Sequence, residues 1–433
     1  MSWPVRYKIV SLLFVGSAIN FIDRVNISVA APAMMQATGW HKDQFGLVFS
    51  AFLFGYALMQ IPAGYVADRR SARVLLALAF CGFSLFTALT PLGIYSIVWL
   101  LVIRVLVGVC EAPTFPAITA FNSRWFPPAE FGRAQTVSLS GGSAGQMIAY
   151  PLTAWIVLAF SWQTTFYVSA GLGFIWVAVW LWYSKDRPRE HAAITENELR
   201  AIEVDRPGPV AGPEIPMVHV LTSLPVVRLA ASAMSFALVL WTFLFWFPTY
   251  LIEARGLSLG EVAKAGIAIQ ACGFLGTVGS GIVSDGVFRL TGNPRIARPM
   301  LASACVTVAA GLLVAAVFSS TTLWALVLFG LFYFCLMMVH VAFLATPAAL
   351  YQRRAATIFG MLNCCAAAGA VCGPAIVGFV MAHSTDWHRS FAMVAGVAVL
   401  SGIFLLITPV RRLDGNGEPD PDADPELLCR SAG

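Results

Sequence analysis

Gly64-Tyr65-Val66-Ala67-Asp68-Arg69-Arg70 and, half a chain later, Gly281-Ile282-Val283-Ser284-Asp285 with Arg289 four residues on, decide the fold of this 433-residue sequence. Each closes a long apolar run with the same Gly-x-x-x-Asp spacing followed by arginine. A recurrence at half the chain length makes the sequence a tandem repeat of two similar units. Working outward from the motifs, each unit must carry the same set of elements.

Those elements read as membrane-spanning helices. Hydrophobic residues make up 58% of the chain and charged ones 11%, too few polar groups to cover a water-soluble fold. Runs near 9–34, 44–67, 73–93, 95–121, 133–157, 163–184, 226–252, 259–284, 297–317, 321–350, 355–380 and 388–410 are apolar. Each is long enough for a helix to cross the hydrocarbon core, which takes roughly 20 residues. The sequence therefore predicts an all-α integral membrane fold of twelve transmembrane helices in two pseudo-symmetric six-helix bundles, residues 1–184 and 225–411. Parallel repeats of this kind, with a site near the midplane, are a transporter architecture. Residues 185–224 form the linker, expected on the cytoplasmic side, and the acidic, proline-bearing tail 412–433 is expected to be disordered. Within the linker, Thr195-Glu196-Asn197-Glu198 is a capping-box pattern that predicts a short amphipathic helix. The N-terminal apolar run is too long for a cleaved signal peptide and continues past two charges into a spanning helix.

Basic residues set the orientation, because Lys and Arg stay on the cytoplasmic side. Alternate loops carry Arg69, Arg70 and Arg73, then Arg124 and Arg133, Lys185, Arg187 and Arg189, then Arg289, Arg295 and Arg298, and Arg353 with Arg354. The opposite loops hold Lys42, Arg255, Lys264 and Arg389. Both termini are expected in the cytoplasm of a multi-pass protein of a bacterial inner membrane. The net charge of +5 is dispersed over loops, which speaks against nucleic acid as a partner. Nine cysteines show no metal-ligand spacing and read as small buried hydrophobes.

Ionisable residues deep in a span cost about 2.5–3.5 kcal/mol each on insertion scales, so each needs a reason. Asp23, Arg24, Arg104 and Glu111 are the unambiguous cases. Asp23 and Arg24, neighbours on the first helix, point about 100° apart and do not simply neutralise each other. Arg104 and Glu111 lie seven residues apart on the fourth helix, on one face and about two turns from each other. Two arginines and two carboxylates sum to zero. An entering carboxylate leaves such a site one negative charge in excess, and protonating Asp23 or Glu111 restores neutrality. Arg24 or Arg104 offers the planar fork that matches a carboxylate. The competing reading is that the four merely tie helices together, although buried ion pairs are weak stabilisers beside apolar packing.

Gly64, Asp68 and Arg69, with their repeats Gly281, Asp285 and Arg289, form a second constellation, read as a gate at the cytoplasmic helix ends. There the glycines are expected to let backbones approach closely. Tyr56, Gln146, Tyr150, Gln270, His340 and Asn363 are polar residues on helices, individually more often inter-helix hydrogen bonds than ligands. Gly141, Gly142, Gly145 and Pro151 in the fifth helix have counterparts in Gly360, Gly369, Gly373 and Pro374 of the eleventh. No phosphate loop, metal cluster or nucleophile triad is legible, so no cofactor, metal or catalytic residue is expected and the chain does not read as an enzyme.

Five stretches taken together resemble the major facilitator superfamily, and within it the anion:cation symporters that include bacterial sugar-acid carriers and organic-anion transporters. They are Asn20 to Asn26, Phe54 to Pro62, Arg104 to Pro116 with Glu111-Ala112-Pro113-Thr114-Phe115-Pro116 at its end, Trp246 to Leu251, and Phe359 to Asn363. The resemblance implies that Asp23 and Glu111 titrate, that Arg24 meets the substrate carboxylate, and that Arg104 pairs with or tunes the acids. It also implies that Tyr56, Gln146 and Asn363 contact the ligand. Phe21 stands where the family often has Tyr, and the seventh helix offers only Ser232, Ser235 and Thr242 to a polyol. The resemblance implies a sugar acid such as a hexuronate, aldarate or aldonate as substrate; both departures make the cavity less polar, so an aromatic or short-chain carboxylate gains ground as the alternative.

The expected function is thus proton-coupled uptake of a small organic anion by alternating access, with organic anion, protons and lipid as partners and a monomeric carrier. An exchanger or exporter is the main alternative. A non-transporting receptor is remote, because only the linker and tail could carry a signal.

Overall fold

The computed structural model describes residues 4–203, 221–293, 295–340, 342–343, 346–347, 355–384 and 386–408. The tail 412–433 lies outside them, as does part of the linker. The helices are α1 (Val5–Thr38), α2 (Lys42–Arg69), α3 (Ala72–Leu89), α4 (Ile97–Glu111), α5 (Thr114–Trp125), α6 (Pro128–Ala159) and α7 (Trp162–Tyr183). After the short α8 (Glu196–Glu203) come α9 (Leu224–Glu253), α10 (Leu259–Thr291), α11 (Leu301–Phe318), α12 (Thr322–Met337), α13 (Ala355–Ser384) and α14 (Trp387–Leu406).

Nine of these segments are long and apolar enough to cross a membrane, with α4 and α5 joined as Ile97–Trp125. The shorter apolar Thr322–Met337, and α2 and α6, which match the others in length, complete the twelve expected spans. Turns between helices are tight because their ends are capped locally. Gly39 closes α1 at φ 71°, where a residue with a Cβ would be strained, and its N–H returns to Met35 O. Ser71 accepts from Val74 N at 3.2 Å, and Ser161 from Thr164 N at 3.3 Å. Many large apolar side chains, among them Leu78, Trp99, Ile175 and Trp182, are exposed and suited to lipid.

Two compact units are present. The first takes in Met1–Ala211 with Leu244–Ile267 and Pro374–Ala382; the second takes in Gly212–Phe243, Ala268–Gly373 and His383–Gly433. Within the first unit, a Cβ added at Gly141 or Gly145 of α6 would strike Phe14 O or Ala18 O of α1, and one at Gly55 of α2 would strike Val105 O of α4. Within the second unit the same contacts recur. Gly369 and Gly373 of α13 meet Met234 O and Leu238 O of α9, and Gly276 of α10 meets Phe334 O of α12. The fifth span packs on the first as the eleventh packs on the seventh, and the second on the fourth as the eighth on the tenth. Small residues that admit a neighbouring backbone thus write the repeat into each unit.

Three expectations need correction. Gly64 and Gly281 mediate no close approach: an added Cβ there meets no heavy atom within 4 Å. Thr195 does cap α8, accepting from Glu198 N at 3.3 Å. Glu198, however, turns to the start of α1, where it accepts from Val5 N at 3.2 Å and Arg6 N at 3.0 Å, because four unpaired amides there outbid a single linker amide. None of the eight described cysteines is fully buried, and Cys364 and Cys372 are exposed, since lipid accommodates an apolar side chain as readily as protein does.

Candidate functional site

Four acidic or basic side chains are buried among the spans of the first unit, Asp23, Arg24, Arg104 and Glu111, and no aspartate, glutamate, lysine or arginine is buried among the described spans of the second. The sequence positions them by two devices. Adjacent residues on α1 diverge around the helix, so Asp23 and Arg24 enter different surroundings. The fourth span is broken between α4 and α5, where Pro113 and Pro116 lack the N–H groups that Val109 O and Ala112 O would accept from. Glu111 is the last residue of α4 and therefore stands at this break.

Arg24 Nε donates to Glu111 Oε2 at 2.6 Å, with Arg24 4% exposed and Glu111 fully buried. Around the guanidinium, ring centroids lie at 4.5 Å for Tyr56, 5.0 Å for Phe21, 5.5 Å for Phe52 and 5.6 Å for Phe115. α1, α2 and α5 thus build an aromatic box whose open face is closed by a carboxylate. Asp23 turns elsewhere. Its Oδ2 accepts from Thr87 Oγ1 of α3 at 2.9 Å, and its Oδ1 from Asn26 Nδ2 at 3.3 Å. Asn26 Nδ2 also donates to Ser169 Oγ of α7 at 3.0 Å.

Arg104 is close enough to Asp23 and Glu111 to interact electrostatically with both, and its guanidinium lies 4.9 Å from the Phe52 ring centre. Among the described residues, nothing hydrogen-bonds Arg104 Nε or Nη2, or Glu111 Oε1, although all three atoms are buried. Buried donors on a cation and a buried carboxylate oxygen left over together have the chemistry to meet an anion and a proton.

The other expected residues are distributed differently. Tyr56 joins the Arg24 box. Gln146 is half-buried on α6. Asn363 belongs to the second unit, where its amide donates to Phe359 O of its own helix at 3.0 Å. His340, also there, rests edge-on to Phe236 at 5.4 Å. Arg69 is exposed and stacks over Tyr65 at 3.8 Å, the Asp68 side chain lies outside the described residues, and Asp285 and Arg289 are exposed. The turn after α2 is held instead by Arg124 of α5, which pairs with Asp186 at 3.0 Å and donates to Arg70 O at 2.9 Å. Sequence reading missed Thr87, Ser169, Phe52 and Phe115. Only the Phe115 position, inside the Glu111 to Pro116 motif, carried a signal.

The pattern of the Major Facilitator Superfamily matches residues 13–367, most of the chain. The chain belongs to this superfamily. Like its members it is a multi-pass membrane transporter rather than an enzyme. The superfamily member is 29% identical over 404 residues to the "Hexuronate transporter" of Bacillus subtilis, covering 93% of this chain and 94% of that one. It is also 29% identical over 419 residues to the "Probable sulfoacetate transporter" of Cupriavidus necator, covering 95% and 96%. Its fold resembles that of a bacterial homologue of the human lysosomal transporter Spinster, with a TM-score of 0.79, 18% identity and coverage of 94% and 97%.

Proposed function

We propose that this carrier moves a small organic anion together with protons by alternating access. The reading rests on one observation: Arg24, boxed in by aromatic rings, is bonded at 2.6 Å to the buried carboxylate of Glu111. While Glu111 is ionised it competes with any anion for that guanidinium. A proton on Glu111 removes the competing charge and frees Arg24 to take the substrate carboxylate in a bidentate fork. Arg104, whose Nε and Nη2 have no hydrogen-bond acceptor among the described residues, supplies further donors to the anion or to the acids. Asp23 is the second proton carrier, the Gly64–Asp68–Arg69 and Gly281–Asp285–Arg289 motifs gate the cytoplasmic ends, and both termini are cytoplasmic in a bacterial inner membrane.

The named relatives carry hexuronate and sulfoacetate, anions that share a single carboxylate or a sulfonate beside it. Sugar acids are therefore the substrate class the similarity supports. The box itself favours a second reading within transport. Phe21, Phe52 and Phe115 give the substrate body apolar faces and Tyr56 a single hydroxyl, which suits a short or aromatic carboxylate better than a polyol. Purified carrier in vesicles with an acid-outside gradient, offered glucuronate, glucarate, sulfoacetate and benzoate in turn, should show alkalinisation of the medium with at least one of them. Anion accumulation without proton movement would remove the coupling.

A further inference from the structure

Thr87 is 1% exposed on an otherwise apolar stretch of α3. Threonines within helices ordinarily return their hydroxyl to their own backbone, as Thr90 does to Phe86 O at 3.2 Å and Thr119 to Phe115 O at 3.0 Å. Thr87 instead reaches across to Asp23 Oδ2 at 2.9 Å. The approach is prepared one turn away: a Cβ at Gly173 of α7 would strike Ser84 Oγ of α3, so α3 and α7 meet closely there. One turn along each helix from that contact stand Thr87 and Ser169, which hold Asp23 directly and Asn26 at 3.0 Å. The charged groups acting on Asp23 are Arg104, through its charge, and Glu111, through a side-chain hydrogen bond, both of α4. Arg24, its neighbour on α1, is turned to Glu111 and to Tyr56 of α2, while α3 and α7 present only hydroxyls that do not ionise.

We propose that Thr87 is a positioning residue for Asp23: with Asn26, anchored on Ser169, it holds the carboxylate on the α3 and α7 side of α1 and sets the pH at which Asp23 takes up its proton. This rests on Asp23 being a proton carrier. A hydroxyl that donates to a carboxylate stabilises the ionised form. Once Asp23 Oδ binds a proton, the same hydroxyl rotates to accept from the acid, so it stays bonded through the whole cycle. Valine has the shape but neither role. Without Thr87 the ionised form loses a charge-assisted bond and Asp23 protonates at higher pH.

Infrared difference titration of the purified carrier in lipid vesicles tests this without any substrate. The carbonyl band lost in Asp23→Asn identifies the Asp23 acid. In Thr87→Val the midpoint of that band should rise by about one pH unit, and in Thr87→Ser it should return to the native midpoint. Ser169→Ala, which frees the Asn26 anchor, should move it in the same direction by less, and carries the test if Thr87→Val does not fold. Native midpoints in every variant that folds would overturn the assignment to Thr87 alone. A carrier in which Asp23→Asn removes no titrating band overturns the coupling role of Asp23, and this inference with it.

Discussion

Lys42 Nζ lies 2.6 Å from Glu253 Oε2, so the first turn of α2 is tied by charge to the last turn of α9, both within the first compact unit. Beneath the pair, Phe49 stacks on Phe245 with ring centres 4.7 Å apart and meets Trp246 edge-on at 5.4 Å. Trp246 Nε1 donates to Pro374 O at 3.1 Å, and a Cβ at Gly46 would lie 2.7 Å from the same carbonyl. These contacts gather at the end of the bundle where α1 turns into α2, and a charged lid with an aromatic plug there would close this end. Both lid residues are partly exposed, at 19% and 33%, which limits the pair to about 0.2–1 kcal/mol. In a carrier whose native cysteines are replaced, Phe245→Cys should react slowly with an impermeant maleimide. Adding Lys42→Ala should speed labelling about two- to fivefold. An unchanged rate would show that the plug alone closes this end.

Asp23→Asn and Glu111→Gln should both abolish uphill uptake, yet differ in stability. Asp23 accepts hydrogen bonds from Thr87 and Asn26, and an asparagine keeps an acceptor for Thr87; its loss takes a nearby negative charge from Arg104 without breaking a direct ion pair such as that of Arg24 with Glu111. Glu111→Gln leaves Arg24 charged, buried and without its ion pair, a change worth about 3–5 kcal/mol where a buried pair is broken. Thermal unfolding should therefore place Glu111→Gln well below the native protein and Asp23→Asn close to it. Equal Tm values would mean that Arg24 finds another acceptor.

Arg24→Lys keeps the charge but not the fork. An ammonium cannot match both oxygens of a substrate carboxylate as the planar guanidinium fork does, and it loses the flat stacking on the box rings. KM for the anion that drives proton uptake best should rise about tenfold or more, with kcat less affected. Native kinetics would move the anion to Arg104, whose Nε and Nη2 have no hydrogen-bond acceptor among the described residues.

The twelve spans were legible because bilayer thickness dictates their length, and the small residues of the fifth and eleventh spans as packing positions, but not which spans they admit, because that depends on a backbone far away in the chain. The four charges were legible because each is costly in lipid. What they touch was not. Adjacent Asp23 and Arg24 had to diverge, but nothing in α3 distinguishes Thr87 from its other hydroxyl residues, and its partner is 64 positions away in the chain. The gate glycines show the converse: Gly64 and Gly281 share the spacing of packing glycines while facing open space, because periodicity records a helix face and not what stands opposite it.

That difference is measurable. A Cβ at Gly108 would strike Phe52 O and lie 2.7 Å from Tyr56 N, backbone atoms that cannot swing aside. Gly108→Ala should push α2 off α4, cost about 1–3 kcal/mol and disturb the Phe52 and Tyr56 faces of the Arg24 box, lowering Tm and uptake together. Gly64→Ala meets nothing and gains about 1 kcal/mol of helix propensity, so Tm should hold or rise. Any loss of uptake in Gly64→Ala would then report on gating rather than folding.

The linker supplies a separate pH dependence. His191 packs against Trp125 and Tyr183, its Nε2–H donates to Tyr183 O at 3.1 Å, and its Nδ1 accepts from Ala193 N at 3.2 Å. Burial holds it below the ordinary histidine value, opposed by the Tyr183 carbonyl and reinforced by Lys185 and Lys8. Protonating Nδ1 would set two N–H groups against each other, so the folded protein favours the neutral ring. A group depressed in the folded state contributes stability that is complete above its unfolded value of 6.5 and is lost as pH falls below it. The native Tm should therefore drop between pH 7.5 and pH 5 by more than that of His191→Gln, which cannot titrate. Parallel Tm curves for the two proteins across that range would show that the linker carries no such proton.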